Sequence, residues 1–136
     1  MKSKKVIILG QIGSPRSTGV ADVRSYLREF LSDPRVIDLP RPLWFIILNL
    51  FILPTRPKQS AKAYRRIEVN GKFPLVETTR KMKAALGEVL GEDYLVEEGF
   101  LLSDKRFKQA LIENRKADNE LWVLPQFPQF SDTTTS

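Results

Sequence analysis

Any chemistry in this chain has to come from carboxylates, hydroxyls and cationic side chains, because its 136 residues include no histidine and no cysteine. The first absence removes the commonest neutral metal ligand and general base; the second removes thiolate sites and disulfides. Glu97 and Glu98 are adjacent in a stretch that suits a strand, so they should point to opposite faces and cannot act as a pair on one ligand. Glu88 and Glu92, four apart near a helix end, read as a solvated face. No cluster has metal-ligand spacing. The one general base left for abstracting a proton is a buried carboxylate with a raised pKa.

Two other features bear on ligands. Gly10-Gln11-Ile12-Gly13 follows a short apolar run, but the full glycine fingerprint of a dinucleotide site and its later ribose-binding acid are missing, so a tight turn is the better reading. The same strand end is where open α/β sheets place ligands, which makes the loop a candidate wall of a site. The net charge of +6 is unevenly spread: Thr55 to Lys83 holds nine Lys or Arg against Glu68 and Glu77. Such a block is either a solvated helix face or an attractor of anions, whether phospholipid headgroups, porphyrin propionates or phosphates. Nucleic acid is disfavoured, since only Tyr64 and Phe73 interleave as stacking aromatics and no recognition module is present.

The elements that would position these groups alternate. Lys5 to Leu9 reads as a buried strand, and Val20, Val23, Leu27, Phe30 and Leu31 as the inner face of a helix capped by Ser17 or Thr18 and stopped at Asp33-Pro34. Leu43 to Leu53 is an uncharged run bracketed by Pro42 and Pro54. As a helix it would reach about 16 Å, against about 30 Å of bilayer hydrocarbon, so it cannot span. A core helix, a dimer contact and an interfacial segment all fit it, and the adjacent basic block favours the last. Further helices are expected over Gln59 to Glu68, over Glu77 to Leu90 with Met82, Ala85, Leu86, Val89 and Leu90 inward, and over Asp104 to Lys116 with Phe107, Ala110 and Leu111 inward. Val69 to Lys72 reads as a turn, and Tyr94 to Leu102 and Glu120 to Leu124 as strands. The alternation implies an α/β fold: a single three-layer domain, over residues 1–130, with a parallel sheet covered by helices and a tail from Ser131 to Ser136. The apolar run after the N-terminal lysines is too short for a signal peptide, which points to a cytoplasmic protein, membrane-peripheral if the apolar run is interfacial.

Two stretches resemble the ferrochelatase family: FLSDPRVIDLPRPLWFIILNLFILPTRPKQSAKAYRR from Phe30 to Arg66, and LPQFPQFSDTTTS from Leu124 to Ser136. The second is similar to the LP-YPQYS-TTGS stretch near the middle of full-length ferrochelatases, so the chain resembles the first half of such an enzyme. The resemblance implies one chelatase-type domain, related to insertion of ferrous iron into protoporphyrin in a cleft whose second half supplies a histidine and a glutamate. Carried over by position, it implies a porphyrin-facing loop at Ile12, Gly13 and Ser14, an apolar lip at Leu43, Trp44 and Ile47, and cleft residues at Phe127, Gln129, Phe130 and Ser131. Phe127 and Phe130 stand where tyrosines are usual, Ser136 at the usual glycine, and Leu101 and Leu102 where many relatives have an Arg-Tyr pair.

Polar groups have thus given way to apolar ones at several cleft positions, with no base in place of the histidine. The expectation is a non-catalytic, ferrochelatase-like homodimer that needs no cofactor and takes porphyrin or haem as its ligand. A minimal ferrochelatase working with a carboxylate base in a dimer cleft is the alternative. A third is an interaction protein docking on a haem-pathway enzyme or an anionic membrane.

Overall fold

The computed structural model describes residues 5–102, 106–116 and 118–127. At its centre lies β1 (Lys5–Gln11), flanked by β2 (Tyr94–Phe100) and β3 (Glu120–Pro125) in the order β2-β1-β3, with both pairings parallel. Val6, Ile8 and Leu9 are fully buried, as a run of apolar residues in a central parallel strand requires. Residues in register share a face. Val6, Ile8, Leu95 and Leu121 therefore look to one side, where Phe107, Ala110 and Leu111 of helix α5 (Phe107–Asn114) pack on them. Gly99 makes this contact possible: a Cβ there would sit 2.8 Å from the Phe107 ring. On the other face, α4 (Pro74–Leu90) lies along β2. This is the expected α/β domain with a parallel sheet between helical layers.

Helix α1 (Val20–Ser32) is capped two residues after Ser17 and one after Thr18. The cap position is Gly19, and Ser17 and Thr18 do not cap it. Ser17 Oγ instead accepts from the Gly19 N–H at 3.0 Å and donates to Asp22 at 2.5 Å, closing the turn before the helix. The stop at Asp33 is as expected.

The largest departure from the sequence reading is the apolar run. Its prolines do not bracket a separate helix; α2 (Arg41–Ile47), a π-helical turn at Leu48–Ile52 and α3 (Leu53–Ile67) form one unbroken helical rod. Pro42 falls in the first turn, where its missing N–H costs nothing. Pro54 and Pro57 cannot donate to the carbonyls four residues back, and a Leu53 N–H bonded to Leu48 O widens the ladder just ahead of them. Trp44, Leu48 and Leu53 turn inward with Leu27, Leu31 and Ile37 to form a second core cluster between the rod and α1. The Val69 to Lys72 turn forms as expected, with Asn70 and Gly71 both at positive φ.

On α4 the inward stripe is shifted from the expected one. Thr79 is buried and Lys83, Leu86 and Leu90 are half-buried, whereas Met82, Ala85 and Val89 are exposed. The sheet face above α4 carries a carboxylate, Glu98, and the helix answers it with polar residues rather than its most apolar side. β2 ends at Phe100, two residues before the expected end, and α5 is shorter than expected. The tail from Ser131 to Ser136 lies outside the described residues.

Candidate functional site

The loop that follows β1 is locked to the loop that follows β2. Leu101 N–H donates to Gln11 O at 3.0 Å and Leu102 N–H to Ile12 O at 2.9 Å, so the two strand ends leave the sheet together. Gly13 then takes φ 97, a backbone geometry that suits glycine, and turns the chain into the buried pair Ser14 and Pro15. Above these strand ends, between α1 and α4, is a cavity of about 380 Å³. That volume lies at the lower end of small-molecule sites, and its place at the carboxyl edge of a parallel sheet is the usual one.

Its wall is mixed. Pro15, Phe73, Val76, Phe100 and Leu102 form the apolar side, with Tyr26 from α1 and the buried Ser14 beside them. The polar side is a set of charges already matched within the protein. Arg106 reaches across the mouth to Glu29, with Nη2 donating to one carboxylate oxygen at 2.9 Å and Nη1 to the other, while Nη1 also donates to Leu101 O. Glu77 takes Arg80 at 3.1 Å and Lys72 at 3.5 Å, and Asp22 accepts from Ser17. Desolvation acts to raise the Glu77 pKa, but the hydrogen bonds and charges of Arg80 and Lys72 together outweigh it and hold the carboxyl below its ordinary value.

Behind the wall an aromatic string runs from Phe30 through Tyr26 and Tyr64 to Phe73, with centroid separations of 6.4, 6.0 and 5.5 Å. Burial, with the neighbouring Tyr64 phenol, pushes the Tyr26 hydroxyl far above the usual phenol range, so it stays protonated. Burial also raises Tyr64, although its hydrogen bond with Tyr26 pulls the other way.

Beneath Arg80 the adjacent acids behave differently from the strand-alternation argument. Glu97 and Glu98 both meet one cation: Lys83 Nζ lies 2.8 Å from Glu97 Oε2 and 2.8 Å from Glu98 Oε2. The first is a hydrogen bond and the second an ion contact without hydrogen-bond alignment. β2 is an edge strand, so the long Glu97 side chain can curl round the sheet rim and join its neighbour. Desolvation of Lys83 favours the neutral amine, but the two carboxylates more than reverse it and raise its pKa above 10.5.

Of the porphyrin-facing candidates only Ser14 lines the cavity, with the half-buried Ile12 and the buried Gly13 directly before it; Leu102, at the position of the relatives' Arg-Tyr pair, lines it as well. Trp44 does not belong to an exposed lip. It is 8% exposed, and its Nε1–H donates to Leu31 O at 2.7 Å. Ile47 is half-buried against the same cluster, and Leu43 is exposed on the rod, away from the cavity wall. Phe127 is half-buried just past β3; Gln129, Phe130 and Ser131 lie outside the described residues. Tyr26, Phe73, Arg80 and Arg106 were missed. They come from three separate segments, α1, α4 with its cap residue, and the start of α5; only Phe73 and Arg80, seven apart, share a helical spacing. Among the described residues no group of acids is placed to hold a metal ion.

A three-stranded parallel sheet flanked by helices, with a cavity at its carboxyl edge, defines the class as an α/β domain of the chelatase type. The sequence matches the family profile Ferrochelatase over residues 4–136, and the chain belongs to that family, which relates it to haem biosynthesis. It is 41% identical over 131 residues to the ferrochelatase of Coxiella burnetii (strain RSA 493 / Nine Mile phase I), covering 96% of this chain and 37% of the relative. The coproporphyrin III ferrochelatase of Lactococcus lactis subsp. lactis (strain IL1403) is 40% identical over 135 residues, covering 98% of this chain and 43% of that protein. The ferrochelatase of Mannheimia succiniciproducens is 39% identical over 142 residues, covering all of this chain and 44% of the relative. The chain thus spans roughly two fifths of the length of the relatives it matches.

Proposed function

We propose that this protein is a non-catalytic ferrochelatase-like domain that binds a porphyrin at the carboxyl edge of its sheet. The observation that carries this reading is the state of the acids around the cavity. Metal insertion requires a base to take the pyrrole protons, and the chain has no histidine. Asp22, Glu29 and Glu77 are each held by a cation or a hydroxyl, and Glu77 is shifted away from the range a base at neutral pH needs. Beside these ion pairs, Pro15, Phe73, Val76, Phe100 and Leu102 give the cavity one apolar wall, which suits the flat face of a macrocycle better than it suits proton transfer.

Metal-free porphyrin is favoured over haem. Haem iron takes its protein ligand from His, Cys, Met or Tyr; the first two are absent from the sequence, and of the other two types only Tyr26 lines the cavity among the described residues, where burial holds it protonated. A visible absorption titration with protoporphyrin, followed by zinc or ferrous iron in the same cuvette, tests the reading. The expected result is a shifted Soret band, no metalloporphyrin beyond the protein-free rate, and loss of the shift in Leu102→Glu. Metal insertion above that rate would instead mean a minimal ferrochelatase using a carboxylate base, and an unshifted band would remove the ligand.

A second reading rests on a separate surface. Leu43, Phe45, Ile46, Leu50 and Phe51 are exposed on the first half of the helical rod, and Arg56, Lys58, Lys62, Arg65 and Arg66 on the second. An apolar tip followed by a basic shank is the arrangement that anionic membrane surfaces hold. Among the described residues no helix is long and apolar enough to cross a membrane, so any such contact is peripheral.

A further inference from the structure

The charges that line the cavity are of two kinds. Glu77 finds Arg80 and Lys72 within the first turns of α4 and the turn before it, and Asp22 finds Ser17 just ahead of α1, so these contacts are local in the chain. Glu29 and Arg106 are the exception. They lie 77 residues apart and join α1, which packs on α3, to the start of α5, which packs on the sheet. The two ends of this bridge are unequally fixed. Arg106 is tied to the strand end independently of Glu29, because its backbone bridges Phe100 and its Nη1 donates to Leu101 O at 2.8 Å. Glu29 meets this guanidinium alone among the described residues, and 44% of its side chain is exposed.

We propose that Glu29 occupies on Arg106 the place of a ligand carboxylate: an acid-bearing ligand of the cavity takes over the guanidinium, and Glu29 turns to water. The inference rests on the porphyrin reading above and narrows it to two residues, Arg106 as the group that selects for an acid at the edge of the ligand and Glu29 as its built-in competitor. A planar guanidinium takes one carboxylate side-on through two parallel N–H donors. Glu29 already displays that geometry, with one carboxylate oxygen on each Nη. A flat ligand lying on Phe73, Val76, Phe100 and Leu102 would bring a carboxylate at its rim to the same fork.

The exchange is close to balanced. One Arg–carboxylate contact breaks and one forms, and the half-exposed Glu29 regains its hydration, so releasing it costs no more than an exposed ion pair does. Arg106 needs no reordering, since the Leu101 carbonyl holds it in position. Arg80 is a worse landing place for an anion. Drawing it away would take a cation from Glu77 and remove the charge 3.9 Å from the buried Glu98. A ligand without a carboxylate has nothing to offer Arg106 and meets a mouth still crossed by the pair.

The test is a Soret titration of the full chain with protoporphyrin and with its dimethyl ester in the same detergent, using wild type, Glu29→Gln, Arg106→Gln and the double variant. The quantity read is the ratio of the two affinities, which cancels differences in folded fraction, and circular dichroism checks the fold of each variant. Release of an exposed pair sets the scale, so the preference for the acid should rise about two- to five-fold in Glu29→Gln. It should fall several-fold in Arg106→Gln, and Glu29→Gln should add nothing when Arg106 is absent. A gain that persists in the double variant would reduce Glu29 to a general negative charge and overturn the exchange. An unchanged ratio in either single variant would do the same while leaving the porphyrin site standing. No band shift with either compound in any of the four proteins would remove the porphyrin reading and the exchange together.

Discussion

Lys83 is the side chain on which the interior charge balance of this domain turns. Its ammonium neutralises two carboxylates at once, and Glu98 has little other support, with Arg80 Nε 3.9 Å away. Lys83→Met should cost about 1–3 kcal/mol in chemical denaturation, since it leaves a buried acid facing a methyl while part of the site remains open to water. Because the folded-state pKa of Lys83 is raised, its contribution is fully present below pH 10.5 and disappears as pH rises through the higher folded value. Wild type should therefore lose stability in that alkaline window faster than Lys83→Met does; equal slopes for the two would show that the pair contributes nothing. Neither this triad nor the acids of the cavity could be read from the sequence. Strand alternation gives the directions of Glu97 and Glu98 at the backbone, but it says nothing of a long side chain bending round a sheet rim, or of a lysine from another element drawing it there.

Elements were more legible than side-chain geometry, and the exceptions share a cause. Strands β1, β2 and β3 fall within about two residues of their expected bounds, β1 and β3 as short apolar runs closed by turn residues and β2 in spite of the two acids at its centre. The rod from Arg41 to Ile67 was missed because prolines were read as punctuation. A π-helical turn lets them ride inside a helix, and that option depends on the burial of Trp44, Leu48 and Leu53 against α1, a tertiary fact. The inner face of α4 was misplaced for the same kind of reason, since the acid on the sheet decides which side of the helix turns inward. Packing between β2 and α5 rests on one missing methyl. Gly99→Ala would bring a Cβ to 2.8 Å from the Phe107 ring and 3.0 Å from Phe107 Cα, and the second atom is backbone that cannot swing away. A loss of about 1–3 kcal/mol with α5 displaced is expected, read as a lowered melting temperature together with faster amide exchange at Ala110 and Leu111. Unchanged exchange in α5 would mean the helix gives way at no cost.

At the scale of the whole molecule, the positive charge is gathered on the second half of the rod and on α4, and the exposed apolar side chains at the rod tip. If the tip and shank together meet a membrane, cosedimentation with vesicles containing phosphatidylserine should fall several-fold between low and physiological salt, and again in Phe51→Glu. Vesicles of neutral lipid should recover little protein at any salt. Trp44→Glu would be a poor probe: it buries a charge in the second core cluster and tests folding instead of docking. Binding that ignores both salt and Phe51 would exclude the membrane reading.

The order of strands also has a consequence in time. β1 forms the middle of the sheet, yet Lys5 finds its neighbours at Tyr94 and Glu120. As the chain is made, the most apolar strand leaves the ribosome long before either partner, and at roughly 5–20 residues per second it waits on the order of ten seconds for the second of them. The helical rod and α1 can meet early through contacts close in sequence, while the sheet can only zip once nearly everything else exists. Newly made chains should therefore pass through a state with a formed helical pair and a bare Val6 to Leu9 segment, and it is this state, more than the finished fold, that a chaperone would recognise.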